Sequence, residues 1–236
     1  MSINCYLAMT AAEFSACEKL PQHIAWMACH FSCYGAGLSN LPSAFPSNSM
    51  VILNDRTPLQ GHDLCIIVQQ LTTLAKELSV SRFLLDFQRP GNEETTHLVK
   101  MLVKELPCPV GVTDLYAKDL PCPVFLPPPP LHVPLEQHLV PWKDREIWLE
   151  VASTGTLITV TRDGSQIKDC LITHYDRPVF EDVDLYCEYS IEVTEQQANF
   201  HLYRNDNMLK KMLRQAESLG VTLAVGLYQQ LGDFRT

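Results

Sequence analysis

Phe83-Leu84-Leu85-Asp86-Phe87-Gln88 is an apolar run of strand length that closes on groups able to ionise or hydrogen-bond. A strand buried on both faces reads as a near-continuous hydrophobic run of this kind. Alternate strand residues point the same way, so Asp86 and Gln88 are expected to aim a carboxylate and an amide at one point while Phe87 faces elsewhere. The same outline recurs on both sides, in Ile24 to Phe31 (IAWMACHF), Met50 to Asp55 (MVILND), Val110 to Asp114 (VGVTD), Val124 to Leu126 (VFL) and Glu146 to Val151 (EIWLEV).

Helical spacing fills the gaps. Leu64, Ile67, Val68, Leu71, Leu74, Ala75 and Leu78 recur every three or four residues, and so do Leu98, Met101, Leu102 and Leu106 behind an Asn92 cap. That is a parallel βαβ rhythm. From about 153 to 204 it breaks. Leu157 to Thr161, Leu171 to Tyr175, Leu185 to Val193 and Asn199 to Tyr203 read as antiparallel strands separated by Asp163-Gly164 and by Glu195 to Gln197. A last helix stripe (Leu209, Met212, Leu213, Ala216, Leu219) ends at Gly220, and Thr222 to Tyr228 supplies a final buried strand.

Six early strands and a terminal one, with one more concealed in the insertion, predict an α/β fold of (β/α)8 TIM-barrel type. It has seven or eight parallel strands in one domain over 1–236, with a β-rich insertion at 153–204. An open doubly wound sheet is the alternative. It lacks support from a phosphate loop, because Gly35 and Gly37 have neither a third glycine nor a following helix.

The chain has 236 residues, 46% of them hydrophobic, and a formal charge of −9. That composition excludes disorder, and no apolar stretch approaches the roughly 18 to 20 residues of a membrane span. Met1 to Phe14 lacks the pattern of a secretory signal, so a cytoplasmic location is expected. Nine cysteines scattered through apolar runs suit reduced thiols better than a disulfide framework. Without a Lys/Arg cluster, nucleic acid is not an expected partner, and neither is a membrane.

Polar residues gather where the apolar runs end. His30, Ser32 and Tyr34 follow the first run, Asn54, Asp55 and Arg56 the second, and Asp86, Gln88 and Arg89 the third. Asp114 and Tyr116 follow the fourth, His132 the fifth, Glu150 the sixth, and Tyr228 with Gln229 the last. In parallel α/β folds this edge is the ligand-binding rim, so a polar, hydroxyl-rich ligand is expected there. Arg56 and Arg89 could pair with Asp55 and Asp86 or grip an anionic ligand, and the internal pairs are favoured. Cys29, His30 and Cys33 do not suit a metal site, since adjacent strand residues face opposite sides. No cofactor is expected. Leu126 to Pro134 should be stiff polyproline-like chain walling the rim. Trp26 and Trp148 lie inside apolar strands and read as core, which leaves Trp142 as the tryptophan for ligand contact.

Leu84 to Gln88 is similar to the fourth-strand signature of family 18 glycoside hydrolases, chitinase-like (β/α)8 barrels whose motif ends Asp-x-Asp-x-Glu. The tail of the chain resembles that family too, where a β-rich insertion precedes a final helix and a last strand ending near a sugar-binding aromatic. The resemblance implies that Asp86 takes the place of the Asp that orients the substrate's N-acetyl group, and Gln88 that of the proton-donating Glu. The earlier acidic places fall on Leu84 and Ser81. Chemistry in that family is substrate-assisted and needs the Glu only as acid, a role an amide cannot fill.

An alternative catalytic pair can be drawn from Asp55, Asp86, Asp114 and Glu150 across the mouth, with Glu150 or Asp114 as the acid/base. The expected function is therefore a glycoside-hydrolase-like protein that binds or hydrolyses a carbohydrate. Asp86, Glu150 and Asp114 are the candidate catalytic residues. His30, Tyr34, Asp55, Arg56, Gln88, Arg89, Trp142, Tyr228 and Gln229 are the candidate ligand contacts. A noncatalytic binding or scaffold protein is the second reading, and a barrel enzyme for a phosphorylated or acidic small molecule the third.

Overall fold

The computed structural model describes residues 3–170 and 178–234. In chain order the elements begin with β1 (Asn4–Met9), α1 (Ala11–Ala16), β2 (Ile24–Phe31), β3 (Leu38–Ser39), β4 (Met50–Asn54), α2 (Leu64–Glu77), β5 (Arg82–Asp86) and α3 (Glu93–Glu105). They continue with β6 (Val110–Thr113), α4 (Asp114–Ala117), β7 (Val124–Leu126), α5 (Leu135–Leu139) and β8 (Ile147–Val151). The insertion holds β9 (Gly155–Thr161), β10 (Gly164–Cys170), β11 (Phe180–Asp182), β12 (Cys187–Val193) and β13 (Gln197–Tyr203), and α6 (Asp206–Ser218) and β14 (Val221–Leu227) finish the chain.

Eight parallel strands close into a barrel in the order β1-β14-β8-β7-β6-β5-β4-β2, and the β1–β2 pairing completes the ring. The expected barrel is present, with a correction to its count. The eighth strand is not concealed in the insertion; it is β1, the short run NCYLAM at the start of the chain. Counting it makes β5 the fourth barrel strand.

Strand alternation divides the apolar residues into two layers. Inward positions Tyr6, Ala8, Ala25, Met50, Ile52, Leu84, Phe125, Trp148, Leu223 and Val225 fill the barrel. Outward positions such as Leu7, Val51, Leu53, Phe83, Leu85 and Leu149 pack beneath α2, α3 and α6. Trp148 is wholly buried and occupies the space left by Gly111, where an added Cβ would lie 2.2 Å from the indole. The three long helices start at side-chain caps: Asn92 Oδ1 accepts from Thr95 N at 2.8 Å ahead of α3, Asp63 caps α2, and Asn205 caps α6. Gly220, with φ +92°, lets the chain leave α6 and enter β14.

The insertion is a five-stranded antiparallel sheet, ordered β10-β9-β13-β12-β11. Its β10 was not anticipated, because SQIKDC is almost wholly exposed and carries no apolar alternation strong enough to read. The expected strand over Leu171 to Tyr175 lies outside the described residues. Leu185 and Tyr186 precede β12 rather than belonging to it, and Tyr186 takes a left-handed φ of +50°. The sheet is fastened to the barrel by Leu131, Cys187 and Leu202, which form a small core of their own. Beside them the buried Arg204 guanidinium donates to the carbonyls of Pro129, Leu185 and Tyr186. The polyproline stretch is thereby held as a wall.

Candidate functional site

Two residues beyond each inward core position, the barrel strands present a second ring. Ile52 is followed by Asn54, Leu84 by Asp86, Trp148 by Glu150, Val225 by Leu227 and Ala8 by Thr10. These groups surround a cavity of about 670 Å³ at the C-terminal ends of the strands, with Ala8, Ile52, Leu84, Phe125 and Val225 also in its lining. His30, Asp55, Arg56, Asp86, Gln88, Arg89 and Glu150 all line it.

Asp86 and Gln88 both line this one cavity, and the Gln88 amide donates to Asp86 Oδ1 at 2.6 Å. Burial raises the Asp86 carboxyl above the ordinary range; the Gln88 bond opposes this and the Asp55 charge adds to it. Burial, and then the Asp86 charge, push Glu150 up to about 7. Both carboxyls are thus held above the ordinary range, and near neutrality Glu150 divides between carboxyl and carboxylate.

Asp55, only 7% exposed, has a different task. Its carboxylate accepts from Gln88 N at 3.1 Å and Arg89 N at 2.7 Å, tying down the loop after β5. The Arg89 guanidinium donates to the carbonyls of Asp55 (2.8 Å) and Arg56 (2.9 Å). The expected carboxylate–guanidinium pairing is thus replaced by a clamp of carboxylate on amide and guanidinium on carbonyl. Tyr116 seals it from outside by donating to the Arg89 carbonyl at 2.9 Å.

A register shift in β2 between Trp26 and Cys29 inserts an extra residue against β4. Such a bulge re-aims side chains. Cys29 lies in the helix-facing core and His30 lines the cavity. His30 Nδ1 donates to the Ala28 carbonyl at 2.9 Å, which fixes the orientation of the ring.

Five expected contacts lie elsewhere. Asp114 follows the strand-end residue Thr113 by one position, so the pleat turns it away from the cavity and it opens α4 instead. Tyr228 likewise follows the inward Leu227, and its hydroxyl lies 3.6 Å from Cys17 Sγ. The last strand therefore meets the cavity with an aliphatic group where the resemblance implies an aromatic one. Gln229 lies beyond Tyr228. Tyr34 is fully exposed between β2 and β3. Trp142 packs against the helix-facing core on the connection into the start of β8, the edge opposite the mouth.

Thr10, Met27 and Asn40 also line the cavity and were not anticipated. Thr10 had a readable signal, because Thr10 and Glu13 form a capping box directly behind an apolar run. No group of three or more His, Cys, Asp or Glu side chains converges as a metal site among the described residues.

No protein-family model matches the sequence, and no curated protein does. Among solved structures, the chain is similar to the spore cortex-lytic enzyme SleL of Bacillus cereus (TM-score 0.61, 9% identity, 95% of this chain and 70% of that one). It is also similar to a chitinase-like agglutinin of Robinia pseudoacacia (TM-score 0.60, 9% identity, 98% of each chain). A third is the class V chitinase of Nicotiana tobaccum, solved as a Glu-to-Gln variant in complex with NAG4 (TM-score 0.62, 9% identity, 96% of this chain and 93% of that one). At such identity the likeness is one of fold, shared with chitinases and chitinase-like proteins.

Proposed function

We propose that this chitinase-like barrel holds a carbohydrate in the cavity at its strand C-termini, with Asp86 and Gln88 as its central polar contacts. The observation that carries the reading is the placement of these two side chains. They stand at the end of the fourth barrel strand, line the mouth cavity and are joined by a 2.6 Å hydrogen bond. A saccharide offers hydroxyls that both donate and accept, which an amide and a carboxylate satisfy together.

Turnover by the substrate-assisted route fails at Gln88. An amide has no proton to give, and general acid catalysis is worth roughly 10²- to 10⁴-fold. Holding without cleaving has parallels among the fold neighbours, one of which is an agglutinin while another carries NAG4 in a Glu-to-Gln variant. The scaffold reading is less well supported. A scaffold's rim charges would satisfy one another, whereas Glu150 has no hydrogen-bond partner among the described residues and Asp86 uses one oxygen on Gln88.

Isothermal titration calorimetry against a panel of oligosaccharides tests the proposal. A saturable heat is expected for at least one glycan, with the affinity falling at least about tenfold in Asp86→Ala. Gln88→Glu is expected to add slow hydrolysis of a bound chito-oligosaccharide. Absence of heat for every glycan would remove the reading.

A further inference from the structure

The proposed carbohydrate site has a polarity that selects among saccharides. Asp86 on β5 and Glu150 on β8 both line the cavity, and two strands lie between them. Neither intervening strand offers a donor there. The Thr113 hydroxyl at the end of β6 is spent on the Phe87 carbonyl at 2.9 Å, and β7 contributes Phe125.

Cations near the mouth do not offset the two carboxyls. Arg89 is committed to the carbonyls of Asp55 and Arg56, and Arg56, which lines the cavity but is solvent-exposed, is not among the charges acting on Asp86 or Glu150. The charges that reach Asp86 and Glu150 are carboxylates: Asp55 acts on Asp86, and Asp86 acts on Glu150. His30, the remaining titratable group of the lining, holds the Ala28 carbonyl through Nδ1.

We infer that the cavity takes a saccharide bearing a free amine, a 2-amino-2-deoxy sugar in its ammonium form, whose charge sits between Asp86 and Glu150. This rests on the carbohydrate reading above. An ammonium supplies three donors to carboxylate oxygens that lack them, and it relieves the repulsion between the two acids. An acetamido group at the same carbon supplies one N–H and no charge, and a hydroxyl supplies one O–H. The amine is thus distinguished from both by charge as well as by donor count.

The binding step also has a proton signature. A cation placed beside Glu150 favours its carboxylate, so at about pH 6, where the free amino sugar is already largely ammonium and Glu150 still largely carboxyl, the side chain must release a proton as the sugar enters. A neutral sugar causes no such release.

The test uses the unmodified chain at about pH 6, where the amine enters already protonated, with three probes: the tetramer of glucosamine, the tetramer of N-acetylglucosamine, and cellotetraose. Each is titrated calorimetrically in two buffers of different ionisation enthalpy. The glucosamine tetramer is expected to bind at least about tenfold more tightly than the other two. Its apparent heat should also depend on the buffer in the sense of proton release. In Glu150→Gln the buffer dependence should vanish and the preference shrink. If the N-acetylated tetramer or cellotetraose binds as tightly as the amine, or no proton is released, the inference is overturned while the carbohydrate reading stands. If none of the three binds, both fall.

Discussion

Asp55 spends both carboxylate oxygens on the backbone N–H groups of Gln88 and Arg89, whereas Glu150 has no hydrogen-bond partner among the described residues. The difference has a consequence for stability. Glu150 titrates near 7 in the fold against an ordinary carboxylate value of 4.5. A carboxyl raised by folding contributes its stability in full below the unfolded value and loses it as pH rises through the folded one. The protein is therefore expected to lose stability between about pH 4.5 and 7 on account of this residue. Asp86, shifted the same way by burial, adds to the loss. Glu150→Gln should be nearly neutral at pH 4 and stabilising by up to about 3 kcal/mol at pH 8. Urea melts of both proteins across that range measure it, and parallel profiles would contradict it. The inward aim of Asp86 and Gln88 was legible because period-two alternation is a local property. Which carboxyl would be consumed by a neighbouring loop was not legible, since Asp55 meets Gln88 and Arg89 only once β4 and β5 pair.

At the scale of elements, the insertion depends on Arg204. Its buried guanidinium has no carboxylate partner among the described residues and instead gathers the carbonyls of Pro129, Leu185 and Tyr186 from two separate segments. Removing it strands those carbonyls. Arg204→Met is expected to destabilise the docked sheet by on the order of 3 kcal/mol. Hydrogen exchange should show β9, β12 and β13 losing protection before the barrel strands do, and uniform loss would mean that the sheet and barrel unfold as one. The apolar strands and amphipathic helices of the barrel were readable from periodicity. β10 was not, because a strand exposed along its length is held by its ladder to β9 rather than by burial. The strand-end rule misled at Asp114 and Tyr228 for a related reason. A shift of one residue along a pleat reverses the face, and sequence locates a strand end no better than that.

For the whole molecule, closure depends on β1, which pairs with β14 on one side and β2 on the other. Without it, those two strands would become open edges, and edges recruit other chains. Deleting residues 3–9 is expected to abolish cooperative thermal unfolding and to cause aggregation, as read by calorimetry and light scattering. A cooperative, monomeric truncated protein would show that the ring is dispensable.

By itself the sequence determined the βαβ rhythm, the antiparallel interruption before the last helix, and the gathering of polar groups past the strand ends. These properties follow from side-chain periodicity within a single element. Tertiary structure alone decided that a six-residue run at the start of the chain closes the ring, and that Asp86 and Glu150 share a cavity while Asp55 is occupied. Those outcomes depend on which strands become neighbours, and on the solvent and charge each side chain then meets, neither of which is encoded locally.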